Sequence, residues 1–429
     1  MIHIKKIAKK IPKIFICYAA LFLCVFMFLG KNINIDTNLN QNNQNNETYA
    51  DYLSEQTTVP VTSETSSISD NPDIPDNPEV SETFEDLIAS ESEIIKEPEK
   101  IYTLSELDDY SESPESVRYY KQIHLREILI SAVGDMTLGS NYTKPYPGSF
   151  YEYYDLYGPG YFCENVKHIF NESDCVIANL ECTLTDNQDP AIRQDKPYTY
   201  KGYNEYASIL TAGNIDIVNI ANNHTHDYSE EGYNDTIEAL IKEGTEYFGN
   251  GIALIKEING IKIGFLGCRE GYWRWELQAG LDYLAENNVE VKIVSFHWLV
   301  MDERIANQNE VEAAHYAIDN GVDLVIAHHP HVLQGIEIYK GKYIAYSLGN
   351  FIFDGNVISD IENRTSIIFQ QRFVLYGSEI VDSSINLIPI LTTSNMSRNN
   401  FRPMLAEGEQ KEAILEKIKA RSAGYNTFD

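Results

Sequence analysis

Cysteine is scarce: the chain has six in 429 residues, and none falls in a CxxC or Cys/His pattern with zinc-finger spacing. That excludes a disulfide-dense scaffold and argues against thiolate metal chemistry. Basic residues are also few, 33 Lys plus Arg against 64 Asp plus Glu, for a net charge of -31. Nucleic-acid affinity rests on cations displacing phosphate counterions, so no nucleic-acid partner is expected. No GxSxG elbow surrounds Ser347, and no Walker A or GxGxxG loop occurs, so neither a serine-hydrolase site nor a nucleotide-driven ligase site is expected. Acids are abundant, but no spacing singles out a glycosidase pair. Glycine is missing altogether from residues 31 to 125.

What is present is unevenly distributed. With 43% hydrophobic and 11% aromatic residues, the chain can bury a sizeable core. Residues 1 to 30 hold five Lys and no acid, and the apolar run from Ile14 to Leu29 follows those lysines. As a helix this run rises about 24 Å, slightly short of the roughly 30 Å hydrocarbon core, with lysines placed to snorkel. A signal anchor is the expectation. A cleaved signal peptide is the alternative, although Phe28 spoils a small-x-small cleavage site. Lysines on the N-terminal side put the N-terminus in the cytoplasm and everything after Lys31 outside the cell. Residues 31 to 125 carry 21 acids and five bases, too polar to offset the ordering entropy of a core, and read as a disordered acidic tether. A flexible chain of that length spans about 55 Å root-mean-square.

From Arg126 to Asp429 the texture becomes that of one folded domain. Solid apolar runs at Ile128 to Val133, Cys175 to Leu180, Ile215 to Ala221, Val291 to Phe296 and Val322 to Ala327 read as buried strands. Helical spacing recurs at Tyr161 to Phe170, Tyr203 to Thr211, Ser229 to Lys242, Glu310 to Asp319 and Gly408 to Ala420. Hairpins turn at Asn259-Gly260 and at Lys340-Gly341, and further strands follow from Thr365 to Leu391. The pattern predicts an α/β domain with mixed sheets. The four exported cysteines, Cys163, Cys175, Cys182 and Cys268, are expected to remain reduced.

Chemistry gathers at the strand ends, where open α/β sheets bind ligands. Asp135 ends the first run; Asn179-Leu180-Glu181 ends the second; Asn222-Asn223-His224-Thr225-His226-Asp227 follows the third. His297-Trp298 and His328-His329-Pro330-His331 follow the later two. Six of the ten histidines therefore lie in three short segments. Carboxylate, amide and imidazole without thiolate form the ligand set of Zn, Mn or Fe in an N/O site. Each residue alone has a structural reading as a turn, loop or core group; their convergence points to divalent metal.

In this order, and together with Gly134 before Asp135 and Ser347-Leu348-Gly349-Asn350-Phe351, these motifs resemble the CapA family of poly-γ-glutamate capsule biosynthesis proteins. That family resembles calcineurin-like metallophosphoesterases, which implies a four-layer sandwich of two mixed β-sheets flanked by helices. The resemblance places Asp135 and His331 on one metal, Glu181 as the bridge, and Asn223, His297 and His329 on the second. His224, with Asp227, would be the general acid or oxyanion stabiliser. Lys196, Lys201, Arg269, His328 and Asn350 are the expected substrate-binding residues. This chain departs from the pattern at Thr137, where two-metal phosphoesterases carry His, at Glu181 in place of Asp, at Ala327 in place of Gly, and at Leu299-Val300-Met301 where Gly and an acid usually follow His-Trp.

The implied function is a single-pass, outward-facing membrane protein that binds, transfers or hydrolyses an anionic envelope polymer such as poly-γ-glutamate, beside membrane synthase or export proteins. A secreted metal-dependent phosphatase or phosphodiesterase, and a non-catalytic polymer scaffold, remain open alternatives.

Overall fold

A computed structural model describes residues 124–426 apart from 142–143, 270, 272 and 356–359. The expected anchor at 1–30 and all but the last two residues of the tether expected at 31–125 lie outside the described residues; Leu125 already belongs to the first strand. Among the described residues no helix is long and apolar enough to cross a membrane.

The strands are β1 (Leu125–Met136), β2 (Cys175–Leu180), β3 (Thr183–Leu184), β4 (Lys201–Gly202), β5 (Ile217–Asn219), β6 (Glu246–Phe248), β7 (Leu254–Ile258) and β8 (Ile261–Arg269). They continue with β9 (Val291–His297), β10 (Leu324–His328), β11 (Ile336–Tyr339), β12 (Lys342–Ala345), β13 (Asn350–Ile352), β14 (Thr365–Tyr376), β15 (Glu379–Leu391) and β16 (Met404–Leu405). The helices are α1 (Phe150–Tyr157), α2 (Lys167–Phe170), α3 (Ser208–Ala212), α4 (Ser229–Glu243), α5 (Trp273–Glu286), α6 (Gln308–Asp319), α7 (Ile361–Arg364) and α8 (Gly408–Arg421).

One sheet runs β16-β15-β14-β1-β2-β5-β6, with β13 also paired to β1. The other runs β11-β12-β10-β9-β8-β7. Both are mixed: β1, β2, β5 and β6 are parallel while β14 and β15 are antiparallel, and β8, β9, β10 and β12 are parallel between antiparallel edges β7 and β11.

Period-two alternation decides the layering. Ile128, Ile130, Ile177 and Ile217 of the first sheet meet Ile263, Phe265, Ile293 and Leu324 of the second in one central apolar layer. Their alternates turn outward: Val176, Ala178 and Val218 pack with Phe150, Phe162 and Leu240 from the helical side. On the far side Val294, Phe296 and Val325 pack with Leu277, Leu281, Ala313 and Ala317. Helix, sheet, sheet and helix therefore stack in order. Each fully buried aliphatic or aromatic side chain in these layers contributes about 1.5–3 kcal/mol, so the sheets form a rigid support for the groups at their ends.

β2 coincides with its expected run because all six residues are buried, which leaves no polar face to blur the boundary. Both predicted hairpins form, as β7/β8 and β11/β12. α6 begins with a capping box in which the Asn307 side chain accepts backbone N–H groups and Glu310 returns the bond. Two expected helices are shorter than their spacing suggests. Tyr161 to Phe170 becomes a 3-10 turn at Pro159–Tyr161 followed by α2, and Tyr203 to Thr211 becomes a 3-10 turn at Asn204–Ala207 running into α3. Neither α2 nor the Asn204–Ala207 turn has a side-chain cap, so packing rather than propensity holds them. Cys163, Cys175, Cys182 and Cys268 are buried and unpaired.

Candidate metal centre

The carboxyl ends of β1, β2, β9 and β10 face one another. Asp135 near the end of β1 is in register with Asn179 of β2, and Asn179 with Asn219 of β5. Asn179 donates to Asp135 Oδ1 at 2.9 Å, and Asn219 donates to Asn179 Oδ1 at 3.2 Å. Asn222 donates to Asn179 Oδ1 at 3.3 Å and to the Leu180 carbonyl at 2.8 Å. This amide ladder fixes Asp135, and its Asn179 end reaches across to His297 Nδ1 at 3.4 Å, joining the two sheets. His297 and His328 end β9 and β10 in register. Beyond β10 the backbone takes positive φ at His329 (93°) and His331 (58°), a conformation non-glycine residues adopt at a cost of about 1–3 kcal/mol each and one that concentrates at functional sites.

Donor atoms converge in two groups. Glu181, His297 and His329 form one, and Asp135, Glu181 and His331 the other; within each, one atom per residue lies within 4.8 Å of the rest. Glu181 belongs to both. Its Oε1 is 3.4 Å from His297 Nε2 and 3.9 Å from His331 Nε2. Asn223 adds its Oδ1, 2.6 Å from His297 Nε2. His331 Nδ1 lies 3.2 Å from Asp135 Oδ2 and 2.9 Å from Asn350 Oδ1.

The electrostatics are those of donors that favour a cation. Burial pushes Glu181 well above the usual carboxylate range, and the nearby Asp135 charge adds to this. Both Glu181 oxygens are buried with no hydrogen-bond donor on them, an arrangement that costs several kcal/mol unless positive charge compensates it. Burial raises Asp135 too, but the His328 and His331 rings, whose Nδ1 atoms stand 3.1 and 3.2 Å from its oxygens, outweigh it and hold this carboxyl well below its usual range. Burial lowers His297 well below 6.5, and burial with the His331 charge lowers His329 to about 4, which keeps both imidazoles neutral as metal ligands must be. A fully buried orphan carboxylate shared by two imidazole-containing groups fits a pair of divalent cations.

His224 stands at the edge of the donors. Its Nδ1 is 2.7 Å from Asp227 Oδ2, and its Nε2 is 3.9 Å from Glu181 Oε1. Asp227 also accepts the Tyr200 N–H at 2.6 Å and pairs with Lys196. The Tyr200 ring lies 4.8 Å from the His224 ring and 5.3 Å from Phe353, which in turn lies 4.5 Å from His331. These rings form an aromatic wall beside the two histidines.

The structure brings Asp135, Glu181, Asn223, His224, Asp227, His297, His329 and His331 together. It places the expected substrate-binding residues differently. The Lys196 ammonium is committed to Asp227 and, at 2.7 Å, to the Asn223 carbonyl. Lys201 is 3% exposed and donates to the Asn187 carbonyl. His328 is buried with its Nδ1 3.1 Å from Asp135 Oδ1, and Asn350 is buried against His331, so both orient donors rather than face a ligand. Arg269 ends β8 in register with His297. Thr137, where analogy would seek a histidine ligand, accepts the Asp354 N–H through Oγ1 at 2.8 Å. Sequence reasoning misses Asn179, Asn219 and Asn222 as positioning groups; the signal available is an Asn at or just past the end of two successive buried runs.

Residues 129–355 match the family described as bacterial capsule synthesis protein PGA_cap. Capsule biosynthesis protein CapA of Bacillus anthracis is 25% identical over 334 residues, covering 71% of this chain and 79% of that protein. PGA biosynthesis protein CapA of Bacillus subtilis is 29% identical over 212 residues, covering 44% of this chain and 56% of that one. A probable polyglutamine synthesis accessory protein of Mycobacterium tuberculosis is 29% identical over 284 residues, covering 58% and 73%. A solved structure of a hypothetical protein from Thermus thermophilus aligns at a TM-score of 0.38 and 15% identity over 61% of this chain and 99% of that one, a likeness too low to carry argument.

Proposed function

Since the chain belongs to the bacterial capsule synthesis protein family, we propose that it acts in the biosynthesis or export of a capsule polymer of the poly-γ-glutamate class, through a divalent-metal site on a metallophosphoesterase-like fold. The observation that carries this reading is Glu181, buried without a hydrogen-bond donor and shared by both donor groups. Residues 1 to 30 would anchor the chain in the cell membrane, with the domain outside, beside membrane synthase or export proteins. The names of the Bacillus relatives support the polymer class.

Asp135, Glu181 and His331 would hold one cation of the Mn, Zn or Fe type, and Glu181, His297, His329 and Asn223 the other. Bound there, the pair supplies a lowered water pKa and charge neutralisation at a phosphoryl or amide carbonyl oxygen. The protein's own part is positioning and proton handling. Asp227 fixes the His224 ring through Nδ1, which leaves Nε2 facing the donors, where it can hold a proton and deliver it to a leaving group. Lys196 clamps Asp227 and the Asn223 backbone together, so ligand and acid keep one geometry. Tyr200 and Phe353, both buried, wall the site on that side.

The test uses the full chain in membranes, with metal content, γ-glutamyl polymer length and phosphodiester turnover compared against a His329→Ala, His331→Ala double variant. Loss of metal together with altered polymer is the expected result. Unchanged polymer handling by metal-free protein would defeat the metal-dependent reading and leave a scaffold. Phosphodiester turnover lost without any change in envelope polymer would favour a phosphodiesterase outside capsule formation.

A further inference from the structure

After His297 the chain runs Trp298-Leu299-Val300-Met301-Asp302-Glu303-Arg304-Ile305. Trp298 is buried, stacked on Phe296 at 4.8 Å, and its indole N–H donates to the Tyr346 carbonyl at 2.8 Å. The next apolar residues turn the other way: Leu299 is 56% exposed, Val300 40%, Met301 53% and Ile305 61%.

Their exposure does not come from slack backbone. The Trp298 N–H donates to the His328 carbonyl at 3.1 Å, and the Asp302 N–H to the Pro330 carbonyl at 3.0 Å. Gln334 donates to the Glu303 carbonyl at 3.1 Å, and Asn307 to the Glu303 carboxylate at 2.9 Å. A further hydrogen bond joins the Leu299 backbone to the His329 ring. The loop is thus pinned to the segment that carries His329 and His331 while its apolar side chains face solvent. Single exposed apolar residues are ordinary. Four within seven positions, on backbone fixed beside a set of metal donors, make a directed apolar edge.

The chain itself indicates what meets that edge. Sixteen apolar residues, Ile14 to Leu29, follow five lysines, and fewer than a hundred residues separate them from β1. If that stretch is the flexible tether expected from its sequence, it would span about 55 Å, and a bilayer holding the N-terminal run would then stand at high effective concentration around the domain. A polar, anionic polymer offers these four side chains nothing apolar to bury against, whereas the acyl boundary of a bilayer does. Electrostatic attraction is not the driving force, because the loop's charges are Asp302, Glu303 and Arg304.

We infer that Leu299, Val300, Met301 and Ile305 dock the domain on the lipid surface of the membrane that holds its own N-terminal run, turning the Glu181 site toward that surface. This rests on the anchored reading given above. The docked site meets polymer as it emerges at the membrane.

The experiment reconstitutes full-length Val300→Trp in phosphatidylethanolamine/phosphatidylglycerol vesicles with and without brominated acyl chains. Full-length Lys411→Trp, on the exposed side of α8, is the control carrying the same three native tryptophans. Bromolipid quenching at position 300 well above the control, abolished by adding Met301→Asp and retained in about 1 M salt, where the screening length is about 3 Å, is expected. Equal quenching at the two positions overturns the docking, as does quenching that collapses in salt. Position-300 emission that is blue-shifted with or without lipid and insensitive to bromine means a second copy covers the loop, and also overturns it. Failure of the anchored reading looks different: the chain does not float with the vesicles at all. Metal measured on the same samples separates both from failure of the Glu181 site.

Discussion

His297 Nε2 and His329 Nδ1 stand 3.0 Å apart, two imidazole nitrogens aimed at a common point from different strands' ends. Ligand atoms about 2.0–2.2 Å from a tetrahedral zinc-like ion lie roughly 3.3 Å from one another. Asn223 Oδ1 at 2.6 Å and Glu181 Oε1 at 3.4 Å from the same His297 nitrogen complete a spacing of that order. His297→Ala should therefore remove about one metal equivalent per chain, His331→Ala about one other, and Glu181→Gln both, because Glu181 alone belongs to both groups. Elemental analysis after exhaustive dialysis reads the counts. Full metal retention by Glu181→Gln would sink the shared-carboxylate arrangement.

Asp227 is the next group to test, because it touches His224 and Lys196 without belonging to either donor group. Asp227→Asn keeps the shape and removes the charge that fixes the His224 ring. Turnover of the polymer or phosphodiester substrate should fall by about 10²–10⁴-fold, the usual contribution of a positioned general acid, with metal content unchanged. If metal is lost with turnover, Asp227 supports the metal site through Lys196 and Asn223 instead.

Legibility from sequence follows the range of the interaction. β2 and the two hairpins are readable because burial pattern and turn residues are local. The expected elements omit α5, although its buried residues Trp273, Leu277, Leu281 and Leu284 recur at helical spacing. The donors are readable as residues that follow strands, since their chemistry stands in single short segments. Their supports are not. The Asn179–Asn219 ladder exists only because β1, β2 and β5 are neighbours, and Asn350 reaches His331 only because β13, more than two hundred residues downstream, pairs with β1. Lys196 reads as a substrate-binding cation until the fold brings Asp227 against it.

The acid side of stability should depend on Glu362. Burial raises this carboxyl, but hydrogen bonding and charge from Arg421, then Lys417, outweigh it and hold it below its ordinary 4.5. Arg421 Nη2 is 2.7 Å from Glu362 Oε2, and Lys417 Nζ is 3.2 Å away, which ties α8 to α7. A depressed folded-state pKa means the stabilisation is fully present above about pH 4.5 and is lost as pH falls through the folded value. Glu362→Gln should cost about 2 kcal/mol at neutral pH, and its melting curve should approach that of the parent protein as pH drops below about 4.5. A gap that stays constant with pH would show that the carboxylate charge is not what matters.

Gly134 precedes Asp135, and the reason lies across the sheet. A Cβ on Gly134 would sit 1.9 Å from the Gly349 carbonyl oxygen and 2.8 Å from its carbon. That carbonyl accepts the Asp135 N–H at 3.0 Å, so the missing side chain lets β13 close on β1 and sets Asp135 opposite Asn350, the partner of His331. Both contacts are backbone, so no side-chain rotation relieves the clash. Gly134→Ala should destabilise by about 3 kcal/mol, lowering the melting temperature by roughly 6–12 °C for a domain of this size. It should also weaken metal retention at the Asp135, Glu181 and His331 group before it affects the other. Gly160→Ala, where nothing lies within 4 Å of the new methyl, is the matched control and should shift melting by less than about 1 °C. Equal, small shifts in both variants would mean that the strands can part without cost, and that the placement of Asp135 does not depend on this contact.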